Sequence, residues 1–318
     1  MKTRLVVALA AFAAASAAAQ SFPARPLRLI VPFPPGGGSD AVGRIIAQPL
    51  VERLGQQVVV DNRAGAGGSI GTEAAVRATP DGHTMVLAST SEIAINPALY
   101  KLGYDTIRDL APVGMVASAA MVLVVAPASG IDNVQRLVAM AKAKPGALNV
   151  ASAGNGTITH LSGELLRSLT QSSWTHVPYK GAPPALADLA AGRVEAMVSS
   201  LPAAMPLIKA GRIKAVAVST RARQPSLPEV PTVAESGVPQ YDVVYWYGLF
   251  VPSATPKAVV ARLADEISQS LRQKEVIANL ANQGALPGEL AQAEFARFVR
   301  SEHALWSKVV KSSGAKSG

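Results

Sequence analysis

The sequence predicts an α/β protein of two lobes with a cleft between them, and three observations carry that prediction. Apolar, strand-like runs alternate with helix-period segments through most of residues 27–218. Glycine-rich turns follow three of these runs and lead straight into helical segments. Beyond residue 256 the chain reads as almost wholly helical, so those helices need a sheet made elsewhere to cover.

Strands are expected at 27–31, 58–60, 84–88, 121–126, 148–151, 195–198 and 213–218, where short apolar runs end at turn-forming residues. Between them, helical spacing of apolar residues predicts helices at 41–54, 70–78, 134–143, 160–169, 185–191 and 203–209. Gly192 and Gly211 suit the left-handed position that closes a helix. Strand–helix alternation of this kind predicts mostly parallel sheets. The tail carries no strand-like run of its own, which predicts its return to the first lobe. The expected division is a discontinuous first lobe, 20–117 and 224–318, and a continuous second lobe, 118–223. Two chain crossings then serve as a hinge.

The amino terminus reads as a secretion signal. Lys2 and Arg4 precede an apolar stretch at 5–15 that is too short to span a bilayer, and Ala17-Ala18-Ala19 offers a small-residue cleavage site. Residues 1–19 are therefore expected to be removed, leaving a soluble periplasmic protein. Cysteine is absent, which excludes a lipid-anchored cysteine, disulfides, thiolate metal sites and a cysteine nucleophile. The formal charge of +9 falls by two, to +7, when Lys2 and Arg4 leave. The remaining basic residues, such as Arg44, Arg53, Arg77 and Arg108, are scattered singly, so no nucleic-acid partner is expected.

The turns are the candidate site. Pro34-Pro35-Gly36-Gly37-Gly38-Ser39-Asp40 follows the first strand, Ala64-Gly65-Ala66-Gly67-Gly68 the second, and Gly154-Asn155-Gly156-Thr157 the run at 148–151. Glycine lets the backbone approach a ligand closely, and the first turn of a helix presents unpaired N–H groups at its positive end. Such places bind phosphate or carboxylate. Gly36-Gly37-Gly38-Ser39-Asp40-Ala41 fits a dinucleotide fingerprint, and Asp61 stands where a ribose-binding acid belongs. Pro34 and Pro35 interrupt that motif, however, and Asp40 sets a negative charge beside a pyrophosphate. No P-loop, zinc-type histidine spacing or nucleophile elbow occurs, and neither a cofactor nor a metal is expected. An enzyme reading is left with Ser39, Asp40 and His160 as a hydrolase array; the alternative for His160 is a structural hydrogen bond to the turn at 154–157.

Longer stretches resemble a known family. Val31-Pro32-Phe33-Pro34-Pro35-Gly36-Gly37-Gly38-Ser39-Asp40, Val60-Asp61-Asn62-Arg63-Ala64-Gly65-Ala66-Gly67-Gly68 and Ala94-Ile95-Asn96-Pro97-Ala98-Leu99-Tyr100 stand in order. They are followed by Ser152-Ala153-Gly154-Asn155-Gly156-Thr157, Val177-Pro178-Tyr179-Lys180-Gly181 and Pro228-Glu229-Val230-Pro231-Thr232. In this the chain resembles the substrate-binding proteins of tripartite tricarboxylate transporters, often called the Bug family. The resemblance implies a type II-like periplasmic binding protein, a monomer that closes on a small carboxylate and delivers it to a membrane permease. Carried over by motif, Phe33, Pro35, Gly36, Gly37 and Asp40 form one wall, Ala66 and Gly67 a second, and Gly154, Asn155, Gly156 and Thr157 close from the other lobe. Tyr179 and Trp246 are either ligand-packing or core aromatics.

Specificity is expected around Thr90, Glu92 and Ser199. In the cleft, Glu92 repels a second carboxylate; facing solvent, it selects nothing. The hydroxyls of Ser199 and Ser200 suggest room or a watery subsite. These features favour a monocarboxylate with a polar or aromatic body over citrate. A ligand-sensing receptor component is the alternative role.

Overall fold

A computed structural model describes residues 22–313, with side chains to residue 311. The expected signal segment lies outside the described residues. The elements in order are β1 (Leu27–Val31), α1 (Gly38–Leu54), β2 (Val58–Asn62), α2 (Ser69–Val76) and β3 (Thr84–Ser89). A π-turn at Ser91–Ile95 leads into α3 (Asn96–Leu99) and β4 (Leu110–Val125). Then come α4 (Val134–Ala143), β5 (Asn149–Ser152), α5 (Ile158–Thr170), β6 (Thr175–Pro178) and α6 (Ala182–Ala190). The chain continues through β7 (Ala196–Ser200), α7 (Leu201–Lys209), β8 (Lys214–Val218) and β9 (Val244–Pro252). It finishes with α8 (Lys257–Leu271), α9 (Lys274–Asn282), β10 (Ala285–Pro287) and α10 (Gln292–Ser313).

The fold is α/β and two-lobed, and β4 is its spine. From Leu110 to Ala120 this strand pairs with β9, and at 117–119 with β10. From Met121 to Val125 it pairs instead with β7 and β8. Almost every residue of β4 is buried, consistent with a strand covered on both faces. The return crossing lies beside it: Val244 pairs with Ala120, and the Ser219 hydroxyl accepts from Met121 N–H while donating to Val243 C=O. The two crossings are thus adjacent and bonded to each other.

Pairings differ from the mostly parallel sheet expected. β1–β2, β1–β3, β5–β6 and β5–β7 are parallel, but every pairing of β4 and β9 is antiparallel. A crossing strand enters each sheet from the other lobe, so it runs against strands that obey local strand–helix order. The tail also has a strand after all, the three-residue β10, whose brevity hid it. Val218 of β8 donates to Pro231 C=O and accepts from Val233 N–H, bracketing Thr232, and Val238 and Tyr241 are buried, which seats much of 224–243 beside β8.

Apolar packing follows from the patterns. β1 exposes only Arg28, and Leu29, Ile30 and Val31 are buried between β2 and β3. Leu263 and Ile267 of α8 pack against the same core as Ile46 and Leu50 of α1, while Trp246, Phe250 and Phe295 form a separate aromatic cluster under α10. Burying each such side chain contributes roughly 1.5–3 kcal/mol.

Candidate functional site

Four helices begin at the same small cavity. Gly37, Gly38 and Ser39 open α1, Thr157, Ile158 and Thr159 open α5, Ala182 and Pro183 open α6, and Ser200 is the N-cap of α7; all line it. None of these helices is capped by its own N-cap side chain. Their positive ends therefore converge on one point. Among the described residues no Lys or Arg lines the cavity; its remaining walls are Phe33, Pro34, Ser91, Ala153 and Tyr245. Pro183 and Pro202 lack N–H groups, so α6 and α7 contribute mainly dipole and α1 and α5 mainly donors.

The cavity measures only about 30 Å³, room for about a water or two, because the lobes are shut. Ile158 N–H of one lobe donates to Ser91 Oγ of the other at 3.0 Å, and Tyr100 Oη donates to Asn155 C=O at 2.7 Å. Outside this seam a larger vestibule of about 610 Å³ is lined by Ala66, Gly67, Gly154, Asn155, Tyr179 and Lys180 among others. A wider groove of about 760 Å³ beside Leu271 and Pro287 contains none of the glycine turns.

Each expected site residue has a definite place. Phe33, Gly37 and Thr157 face the cavity, and Phe33 reaches the vestibule as well. Ala66, Gly67, Gly154, Asn155 and Tyr179 line the vestibule, the first two on left-handed backbone, with φ of 46° and 61°. The Tyr179 hydroxyl donates to Asp188. Gly156 packs against Leu99 and Tyr100 across the seam. Pro35 and Gly36 are exposed on the shoulder of the turn.

Asp40 shapes the turn from behind. It accepts from Gly36 N–H at 3.0 Å, from Asn62 Nδ2 at 3.0 Å and from Arg44. Burial alone pushes its carboxyl up, but these donors outweigh it and hold the group below the usual range. Thr90 is buried, its hydroxyl accepting from Trp246 N–H at 3.3 Å. Ser199 is buried with its hydroxyl turned to the Ser200 carbonyl, and Ser200 takes the cavity position instead.

For Trp246 the core alternative holds, and for Glu92 neither alternative does. Trp246 is a core residue: its ring packs edge-on to Phe295 and Phe298, and its indole N–H donates to Glu302. Tyr245, one residue earlier, faces the cavity. Glu92 faces neither cleft nor solvent; it is fully buried behind Tyr245, accepting from Ser89 N–H and the Ser89 hydroxyl. Sequence reasoning missed Tyr245, Thr159, Pro183 and Ser91. For Tyr245 a usable signal existed, since strand alternation sends neighbours to opposite faces.

Ser39, Asp40 and His160 do not assemble into a nucleophile and base. Asp40 is engaged with Gly36, Arg44 and Asn62. His160 accepts from Gly156 N–H at 3.2 Å and stacks on His176 at 3.9 Å. Burial pushes His160 down to about 4, so it is a neutral brace of the turn. Among the described residues no cluster suits a metal ion, and no helix is long and apolar enough to cross a membrane.

Residues 42–315 match the family model described as tripartite tricarboxylate transporter family receptor. The chain is 37% identical over 321 residues to Protein BugT of Bordetella pertussis, covering 99% of this chain and 98% of that one. Among solved structures it is similar to R. palustris Rpa4515 with adipate, at 36% identity and TM-score 0.90, over 93% of this chain and 99% of that one. It is also similar to MatC of Rhodopseudomonas palustris with bound malate, at 33% identity and TM-score 0.87, over 91% of this chain and all of that one. The chain belongs to the receptor family of the tripartite tricarboxylate transporters.

Proposed function

We propose that this protein captures a small carboxylate between its lobes and presents it to a tripartite tricarboxylate-type membrane permease. The observation that carries the reading is the convergence of four helix N-termini on a cavity with no cationic side chain. Partial positive charge spread over backbone N–H groups matches a carboxylate without leaving a full buried charge when the site is empty. Hydrogen bonds to a charged group contribute roughly 1.5–3 kcal/mol each, so three or four support micromolar binding after ordering costs. Similar proteins hold adipate and malate, which supports the ligand class.

The role is binding and not turnover, in keeping with the braced His160 and the engaged Asp40. The mature chain is exported to the periplasm, cut near Ala19, and acts as a monomer. Our division into lobes places the crossings at Ala120/Met121 and Val243/Val244, with 224–243 on the second lobe.

A thermal-shift screen of the mature protein tests this reading. At 100 times its dissociation constant a ligand adds about 2.7 kcal/mol of stability. Adipate, malate or another small carboxylate is expected to raise the melting temperature by several degrees. Silence across carboxylates with a clear shift from nucleotides overturns the proposal.

A further inference from the structure

We propose that Glu92 is a positioning residue: a buried carboxyl, wired through Ser89 to Tyr245, whose protonation decides whether Tyr245 offers a ligand carboxylate a proton or a lone pair. This rests on the reading of the cavity as a carboxylate site. Tyr245 Oη donates to Ser89 Oγ at 2.9 Å, and Ser89 Oγ donates to Glu92 Oε2. Tyr245 lines the cavity, so the chain connects it to a carboxyl that solvent does not reach.

The direction of that chain depends on Glu92. An ionised carboxylate only accepts, so Ser89 must donate to it, Tyr245 must donate to Ser89, and Tyr245 turns lone pairs toward the cavity. A protonated Glu92 can donate to Ser89. Ser89 then donates to Tyr245, and the Tyr245 proton turns into the cavity, toward the hydroxyls of Ser39 and Ser91 and toward a bound carboxylate, the stronger acceptor. A carboxylate in the cavity accepts that proton well and is repelled by the other arrangement. Binding therefore favours the protonated form, and above the pH where empty-site Glu92 ionises each bound carboxylate draws one proton from solvent.

The surroundings favour a protonated group. Glu92 is in no ion pair among the described residues, and its Oε1 has no partner. Desolvation pushes it up to about 7 against the opposing bonds from Ser89. The phenols of Tyr104, Tyr245 and Tyr247 feel its charge, and Glu73, beyond Tyr104, is paired with Arg77. Of the elements packed on the Ser91–Ile95 turn, β3, α3 and the turn Ala66–Gly68 carry no charged residue. α10 brings Arg300 and His303, which line a groove beside Tyr104, and Glu302, which holds Trp246 and Trp306.

The test is calorimetry of adipate, whose carboxyls, like those of Asp and Glu, titrate below the range in which Glu92 is expected to change, from pH 6 to 9 on the wild type, Glu92→Gln and Tyr245→Phe. Wild-type Kd is expected to rise by up to about tenfold per pH unit above about 7, with uptake approaching one proton per adipate at alkaline pH. Glu92→Gln, which keeps an acceptor for Ser89, should bind with a flat pH profile. Tyr245→Phe should bind more weakly at pH 6 and lose the slope. Equal slopes in wild type and Glu92→Gln, or no proton uptake, overturn the proposal. A ligand-free readout separates it from the carboxylate reading: ¹³C signals of Glu92 Cδ and Tyr245 Cζ should titrate together, and independent titration also overturns it. If neither adipate nor malate binds at pH 6 while the two signals move together, the wire stands and the proposed ligand class fails.

Discussion

Tyr245 and Trp246 are neighbours in β9 with opposite tasks, because consecutive strand residues point to opposite faces. Trp246→Ala removes a fully buried ring from the cluster under α10 and is expected to cost about 3–5 kcal/mol of stability. Urea unfolding measures that loss, and the affinity of the remaining folded protein for carboxylate should be unchanged. Asp40 makes a second residue-scale prediction. Its folded pKa is depressed, so its stabilisation is present above the unfolded value of about 3.9 and disappears as pH falls through the folded value. Melting curves of wild type and Asp40→Asn should therefore differ most near neutrality and converge in acid. The motif offered Asp40 as part of the ligand wall, whereas in the fold its oxygens turn back onto Gly36, Asn62 and Arg44 and it does not line the cavity.

The helices were legible in the sequence as elements, α4 to its first residue, but the four around the cavity were not legible at their starts. α1, α5, α6 and α7 each begin two or three residues before the apolar periodicity does, at Gly38, Ile158, Ala182 and Leu201. The residues of those starts that line the cavity are Gly38, Ser39, Ile158, Thr159, Ala182 and Pro183, mostly small or polar side chains that carry little apolar pattern. Periodicity reports the buried flank of a helix, whereas binding uses its end. Gly38 shows how tight that end is. A Cβ there would lie 2.6 Å from Ser200 Oγ and 2.9 Å from Tyr247 Oη. Gly38→Ala is expected to hold the lobes apart and weaken carboxylate binding by at least about tenfold. Small-angle scattering with and without saturating adipate checks it, since the variant should fail to contract.

Closure belongs to the whole molecule. The seam joins Ser91 to Ile158 and Tyr100 to Asn155, and Gly181 lets Pro34 approach from the opposite lobe. These contacts exist only when the lobes are shut, so they favour the bound state without stabilising either lobe alone. Tyr100→Phe removes one neutral hydrogen bond of about 0.5–1.5 kcal/mol. Ligand affinity should fall roughly two- to tenfold, while the unfolding of the open, ligand-free protein stays near the wild-type value. A titration beside a melting curve distinguishes this from loss of a ligand contact in a rigid site. The two crossings, at Ala120/Met121 and Val243/Val244, are tied together by Ser219.

Local chemistry by itself determined the α/β class, the glycine turns at strand ends, the motifs of the family and the absence of thiol chemistry. Those depend on side-chain periodicity and on backbone sterics within a few residues, which a linear text records. Tertiary structure alone decided that β4 runs through both lobes, that its pairings are antiparallel, and that four helix ends share one cavity. It also decided that Tyr245 and Ser200 face the cavity while Trp246 and Ser199 do not. Such outcomes depend on register and on pairing between segments a hundred residues apart, where a shift of one residue exchanges the two faces of a strand.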